Sequence, residues 1–206
     1  MNARTRPSRT ALAAVAAAAA VAGLAAASVP AAAAHSAAPR FLAPKELPPH
    51  PTSAWYAGPV TSGQPDPLPM CVGEALPPIS QHRQYWTEFD TGALQVTVVE
   101  RSVTRAKQLA ALWQKKLSEC AAELMEKDPE VTATARDYGR IDVEEGARVY
   151  GIHTRHTWGA SDISLFSVGR DDRTVTFVRW AQMGTFEHAQ VADFKRTTAT
   201  AVNKLH

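Results

Sequence analysis

The sequence predicts an α+β fold: one antiparallel sheet with two main helices packed on one face, in the order β-β-α-β-β-β-β-α. Three observations carry this. The stretch from Ser102 to Lys127 repeats Val103, Ala106, Ala110, Trp113, Leu117, Cys120 and Leu124 at steps of three and four, the stripe of an amphipathic helix. Around it lie six short segments, alternating or continuously apolar, that are bounded by glycine- and aspartate-bearing turns, the pattern of strands. A second helical period closes the chain, with Val191, Phe194, Thr198, Ala201, Val202 and Leu205 on one side.

Taken in order, residues 1–34 read as an export signal. Arg4, Arg6 and Arg9 precede an unbroken small-apolar run from Ala11 to Val29, and Ala32-Ala33-Ala34 fits a small-residue cleavage site before His35. If the segment stays uncleaved, it is the only part expected to touch a membrane. Its loss removes three of the 22 basic residues and no acid, which leaves 19 basic against 20 acidic side chains. A near-neutral exported chain gives no electrostatic reason to expect nucleic acid as a partner. The remaining length suits one domain with a real core.

Residues 35–79 hold eleven of the fourteen prolines, so regular helices and central strands are excluded there. This stretch is expected to be an extended arm laid over the domain at 80–206, with Trp55 and Tyr56 as apolar anchors and a helical turn at Val72–Leu76. Two cysteines in an exported chain point to one disulfide, Cys71 to Cys120, ahead of a reactive thiol or a metal site. Neither cysteine has His or carboxylate neighbours at ligand spacing.

The domain then opens with a hairpin, Arg83 to Phe89 and Leu94 to Glu100, turning at Asp90-Thr91-Gly92. Ser102 is the expected N-cap of the long helix, and Asp128-Pro129 ends it. Four strands follow, at Val131–Asp137, Ala147–Thr157, Asp162–Val168 and Thr174–Met183, the last two joined as a hairpin through Gly169–Asp172. A helix from Glu187 to Leu205 completes the chain.

Motifs for chemistry are sparse. The sequence has no G-x-S-x-G elbow, no phosphate-cradling glycine loop and no HxxxH pair, so no catalytic residue, metal or cofactor is assigned. His153 and His156, three apart on one strand, point to opposite faces and cannot share a metal. Two ligand-binding candidates remain. One is the start of the long helix, where Arg101 and Arg105 beside free amide N–H groups form an anion-attracting end. The other is the sheet face presenting His153 and Arg155, joined by Arg179 or Trp180 from the last strand.

The order of features carries a resemblance. The leucine-bearing entry Phe41-Leu42-Ala43-Pro44-Lys45-Glu46-Leu47-Pro48, a cysteine after a Trp-bearing arm, a strand, and a helix bearing Trp113 and Cys120 resemble the PknH-like extracellular sensor domains of actinobacteria. The similarity spans about residues 41–206. It implies a single α+β domain with helices on one side of an antiparallel sheet and a cleft for a cell-envelope ligand. No kinase motif precedes it, so the resemblance implies a free-standing secreted relative. Family members carry more than one disulfide, whereas this chain can form only one, and no family ligand residue transfers. The expected function is a non-enzymatic ligand-binding or sensor-like module for a small-molecule or envelope ligand. The alternatives are an exported hydrolase of envelope polymers and an inhibitor-like protein-protein module.

Overall fold

The computed structural model describes residues 38–206. The export signal lies outside the described residues. Within them, β1 (Tyr56–Ala57), β2 (Thr61–Ser62), β3 (Gln81–Trp86) and β4 (Gly92–Val99) precede α1 (Val103–Lys127). After it come β5 (Val131–Ile141), β6 (Ala147–His156), β7 (Ser161–Asp171), β8 (Thr174–Met183) and α2 (Val191–Val202). All eight strands form one antiparallel sheet in the order β1-β3-β4-β8-β7-β6-β5, with β2 also paired to β3. The fold is α+β, and its two main helices follow the expected order.

One expectation is corrected. The helices do not share a face. Leu94, Val96, Tyr150, Ile152, Phe166 and Phe177 pack with Trp113 and Leu117 of α1. Their neighbours Ala93, Val149, Leu165, Val178 and Trp180 pack with Phe194 and Ala201 of α2. Adjacent strand residues point to opposite sides, so α1 and α2 cover opposite faces. The physical reason lies in the central strands, which are apolar at both parities, as in Leu165-Phe166 and Phe177-Val178, and a strand of that kind must be covered twice. Gly169 permits the close approach of α2, because a Cβ there would stand 2.3 Å from Cγ2 of Val202.

Ser102 caps α1, its Oγ accepting from the Arg105 N–H at 3.3 Å. The buried stripe runs through Ala106, Leu109, Ala110, Trp113, Leu117 and Cys120. The basic start of this helix is balanced by the buried carboxylate of Glu100, which accepts from Arg105 at 2.9 Å. At its far half Cys120 is bonded to Cys71. The final helix is shorter than expected: a 3-10 turn at Phe186–His188 precedes it, and α2 begins at Val191.

The proline-rich arm divides into two straps on opposite faces. Residues from Phe41 to Trp55 lie on the α2 face, where Leu42 is fully buried and its N–H donates to Gln95 Oε1 at 2.8 Å. Its carbonyl accepts from Tyr85 Oη at 2.9 Å. Trp55 is part-buried with Nε1 donating to the Pro48 carbonyl, but Tyr56 is exposed, so Leu42 and not Tyr56 anchors this strap. Residues 64–80 form the second strap on the α1 face, where Val72 and Leu76 join the core and Trp113 Nε1 donates to the Ala75 carbonyl. The helical turn beside the cysteine is a 3-10 turn at Gly73–Ala75.

Candidate functional site

The residues singled out by sequence end in four different places. Arg105 is engaged with Glu100, and Arg101 is exposed on the same helix end. Trp180 is fully buried in the closed α2-side core, with Nε1 unpaired among the described residues. His153 and Arg155 share the α2 side of β6, whereas Arg179, two residues from Phe177, is on the α1 side of β8. The structure therefore does not bring His153 and Arg179 into one groove.

His153 is held rather than free. Its Nε2 lies 2.8 Å from Ser161 Oγ, and that hydroxyl donates onward to the Gly184 carbonyl at 3.1 Å. A hydroxyl has one proton, so with Ser161 donating to Gly184 the imidazole must carry its own proton on Nε2. This is the reverse of a base drawing a proton from a serine nucleophile. Phe186 meets the His153 ring edge-on at 5.7 Å, and the Arg136 guanidinium lies 3.9 Å from the Phe186 centroid. Burial lowers the His153 pKa, and Arg155 and Arg136 lower it further.

Arg179 stands differently. Paired residues across an antiparallel sheet point the same way, so the register places Trp86, Gly92, Ala181 and Ser164 in one row on the α1 face. Three of the four are small. They form a shelf at the turn end of the sheet, with Arg179 behind it and Asp162 and Thr154 paired in the row ahead. The strap residues Pro67, Leu68, Pro69 and Met70 roof one half of the hollow, about 430 Å³, where Trp86 forms the wall. The other half, about 360 Å³, is lined by Asp90, Thr154, His156, Asp162, Ser164 and Gln182. Met70, Gly92 and Arg179 border both halves, so this is one cleft with an apolar and a polar end and a guanidinium at the junction.

The electrostatics of that guanidinium set it apart. Arg83 donates from Nε to the Gly58 carbonyl at 2.8 Å and from Nη1 to the Leu42 carbonyl at 3.1 Å. Arg170, also deeply set, donates to the Asp172 carbonyl at 2.7 Å and pairs with Glu145. Arg179 Nε is sealed from solvent and, among the described residues, has no hydrogen-bond partner. Burial lowers its pKa and the charge of Asp162 acts the other way, yet the two side chains are not within ion-pair distance. Arginine stays protonated regardless, so the cleft holds a permanent cation with no ion-pair partner among the described residues.

Other hollows offer less. A roomier one, about 790 Å³, lies where the first strap crosses α2, and there Glu46 is paired to Lys204 and Asp193 to Arg196. A trough of about 490 Å³ at the opposite end of the sheet has no titratable side chain in its lining. No group of three or more His, Cys, Asp or Glu that could hold a metal occurs among the described residues. No helix among them is long and apolar enough to cross a membrane.

Sequence reasoning found Arg179 but missed its setting. Trp86, Gly92, Asp162, Ser164 and Ala181 come from four strands, and only the register joins them. A usable signal was the lone arginine in the apolar run Thr176-Phe177-Val178-Arg179-Trp180, a charge at a position otherwise buried. Set against protein-family models, curated proteins and solved structures, the chain matches none of them.

Proposed function

We propose that the protein is a secreted, non-enzymatic ligand-binding module whose site is the cleft around Arg179, in keeping with the resemblance to PknH-like sensor domains. The observation that carries this reading is the Arg179 guanidinium, whose Nε is sealed from solvent and has no hydrogen-bond partner among the described residues. A partly buried charge without a partner opposes folding, and a chain that served stability alone would gain by pairing it or replacing it. A ligand that supplies the missing acceptor gives that cost a purpose. The disulfide between Cys71 and Cys120 is consistent with an oxidising, extracytoplasmic setting.

The role in binding and the cost to folding make opposite demands on one residue. Arg179→Met is expected to raise the urea midpoint or leave it unchanged, because it removes an uncompensated charge. The same variant is expected to lose a ligand that the parent protein retains from a soluble fraction of cell-envelope fragments, read as a bound mass by native mass spectrometry. Ala181→Phe fills the shelf without touching the charge and should lose the same adduct. If Arg179→Met unfolds the protein at markedly lower urea, the arginine is structural. If the adduct survives in Ala181→Phe, the cleft is not the site.

A further inference from the structure

We infer that the cleft takes a hydroxylated ring acid, a saccharide bearing a carboxylate, with the carboxylate on Arg179 and the ring hydroxyls on the acids at its polar end. The inference deepens the binding role proposed above and rests on it. Three features select this chemistry. The guanidinium is a planar fork that matches a carboxylate with two parallel hydrogen bonds, a stronger contact than neutral pairs give.

Asp90 and Asp162, lining the polar half, are acceptors. Two carboxylates close to the seat of an anion would repel a simple inorganic anion such as phosphate. They suit a ligand whose single negative charge is accompanied by donors. Hydroxyl groups arranged around a ring supply that set of donors.

The third feature is the wall. Trp86 is 47% exposed, borders the apolar half and is stacked against Tyr56, centroids 6.3 Å apart and planes 22° from parallel. The pair offers a flat apolar surface at the mouth of a polar cleft, suited to the less polar face of a sugar ring. Met70, roofing the junction, is an adaptable apolar contact above the same ring.

The test is calorimetric titration of the disulfide-bonded protein with three probes: sodium glucuronate, glucose, which keeps the ring hydroxyls without the carboxylate, and cyclohexanecarboxylate, which keeps the carboxylate without the hydroxyls. Glucuronate is expected to bind at least about tenfold more tightly than either, the scale of one charge-assisted hydrogen bond. Arg179→Gln should abolish the advantage over glucose, and Asp162→Asn the advantage over cyclohexanecarboxylate. Equal binding of glucuronate and glucose overturns the carboxylate assignment, and equal binding of the two acids overturns the hydroxyl assignment.

The two readings fail separately. If none of the three probes binds while the envelope adduct is still lost in Ala181→Phe, the ring-acid class is wrong and the cleft remains a binding site. If glucuronate binds unchanged to Ala181→Phe, both readings fall.

Discussion

On the α1 face the covering strap is fixed by a covalent bond, Cys71 to Cys120, whereas on the α2 face the strap from Phe41 to Trp55 is fixed by buried hydrogen bonds to Gln95 and Tyr85 and by Leu42 in the core. The α2 side is closed, with Trp180, Phe194 and Leu42 all fully buried. The α1 side is closed only where the helix lies. Beyond Phe177 the face ends in small residues under the roof of Pro67–Met70. A segment that must roof a cleft cannot also fill it with side chains, so Pro67 and Leu68 stay exposed beside the buried Val72 and Leu76, and the roof gains from a further fastening. The disulfide supplies that fastening, which is why the open face carries the covalent bond and the sealed face does not.

Truncating the helix anchors should give the largest effects and show whether the two faces melt together. Trp113→Ala on α1 and Phe194→Ala on α2 each remove a fully buried aromatic and should each cost about 3–5 kcal/mol in urea denaturation. Both side chains pack on the same strands, Trp113 edge-on to Phe177 at 6.2 Å and Phe194 beside Val178. One cooperative transition is therefore expected in each variant. Two separate transitions in either would mean that the faces are independent.

Reducing the disulfide comes next. Opening a loop spanning 49 residues of sequence should cost about 2–4 kcal/mol. Hydrogen exchange should then accelerate in 64–80 and leave 41–57 protected, because the first strap owes nothing to Cys71. Faster exchange across 41–57 as well would show that the two straps depend on each other.

The converse change weakens the α2 strap alone. Gln95→Leu removes the acceptor for the Leu42 N–H and the donor to Thr176 Oγ1, leaving buried groups unpaired, and should cost about 1–3 kcal/mol. Exchange should rise in 41–57, with 64–80 unmoved.

How much of this was legible beforehand follows the range of each interaction. The long helix could be read because its period is local, and Ser102 sits in the cap position that the sequence assigns to it. The disulfide could be read because two cysteines leave one pairing. The placement of α2 on the second face was written in Leu165-Phe166 and Phe177-Val178, whereas β6, with Gly151 and His153 between its apolar residues, has the pattern of a strand covered on one side. The arm looked uniform because proline content is uniform. Its division into two straps depends on Gln95 and Tyr85 meeting Leu42, contacts spanning 53 and 43 residues. Arg179 was visible as a charge, but its lack of a partner is a fact about space that no spacing encodes.

Protonation gives the smallest and most selective handle on the comparison, since two shifted groups of the α2 side titrate in separate windows. Burial pushes the Glu46 carboxyl up, but the hydrogen bonds from Lys204 and the Ala43 N–H outweigh it and hold the pKa below its ordinary 4.5. A carboxylate with a lowered folded-state pKa adds stability above 4.5 that is lost as pH falls through the folded value. His153 is also lowered, by burial first, from an ordinary 6.5. For a base, that means the unfolded chain binds the proton more readily, so stability is full above 6.5 and declines as pH falls from there toward the folded value. The melting temperature should thus drop slightly between pH 7 and 5.5, and His153→Gln should flatten that drop. Below about pH 4.5, exchange should quicken in 41–57, where Glu46 lies, before it quickens in 64–80, where the disulfide does not titrate and the exposed Lys127–Glu74 pair contributes little. If both straps loosen at one pH, the contrast between a covalent and a hydrogen-bonded fastening is wrong.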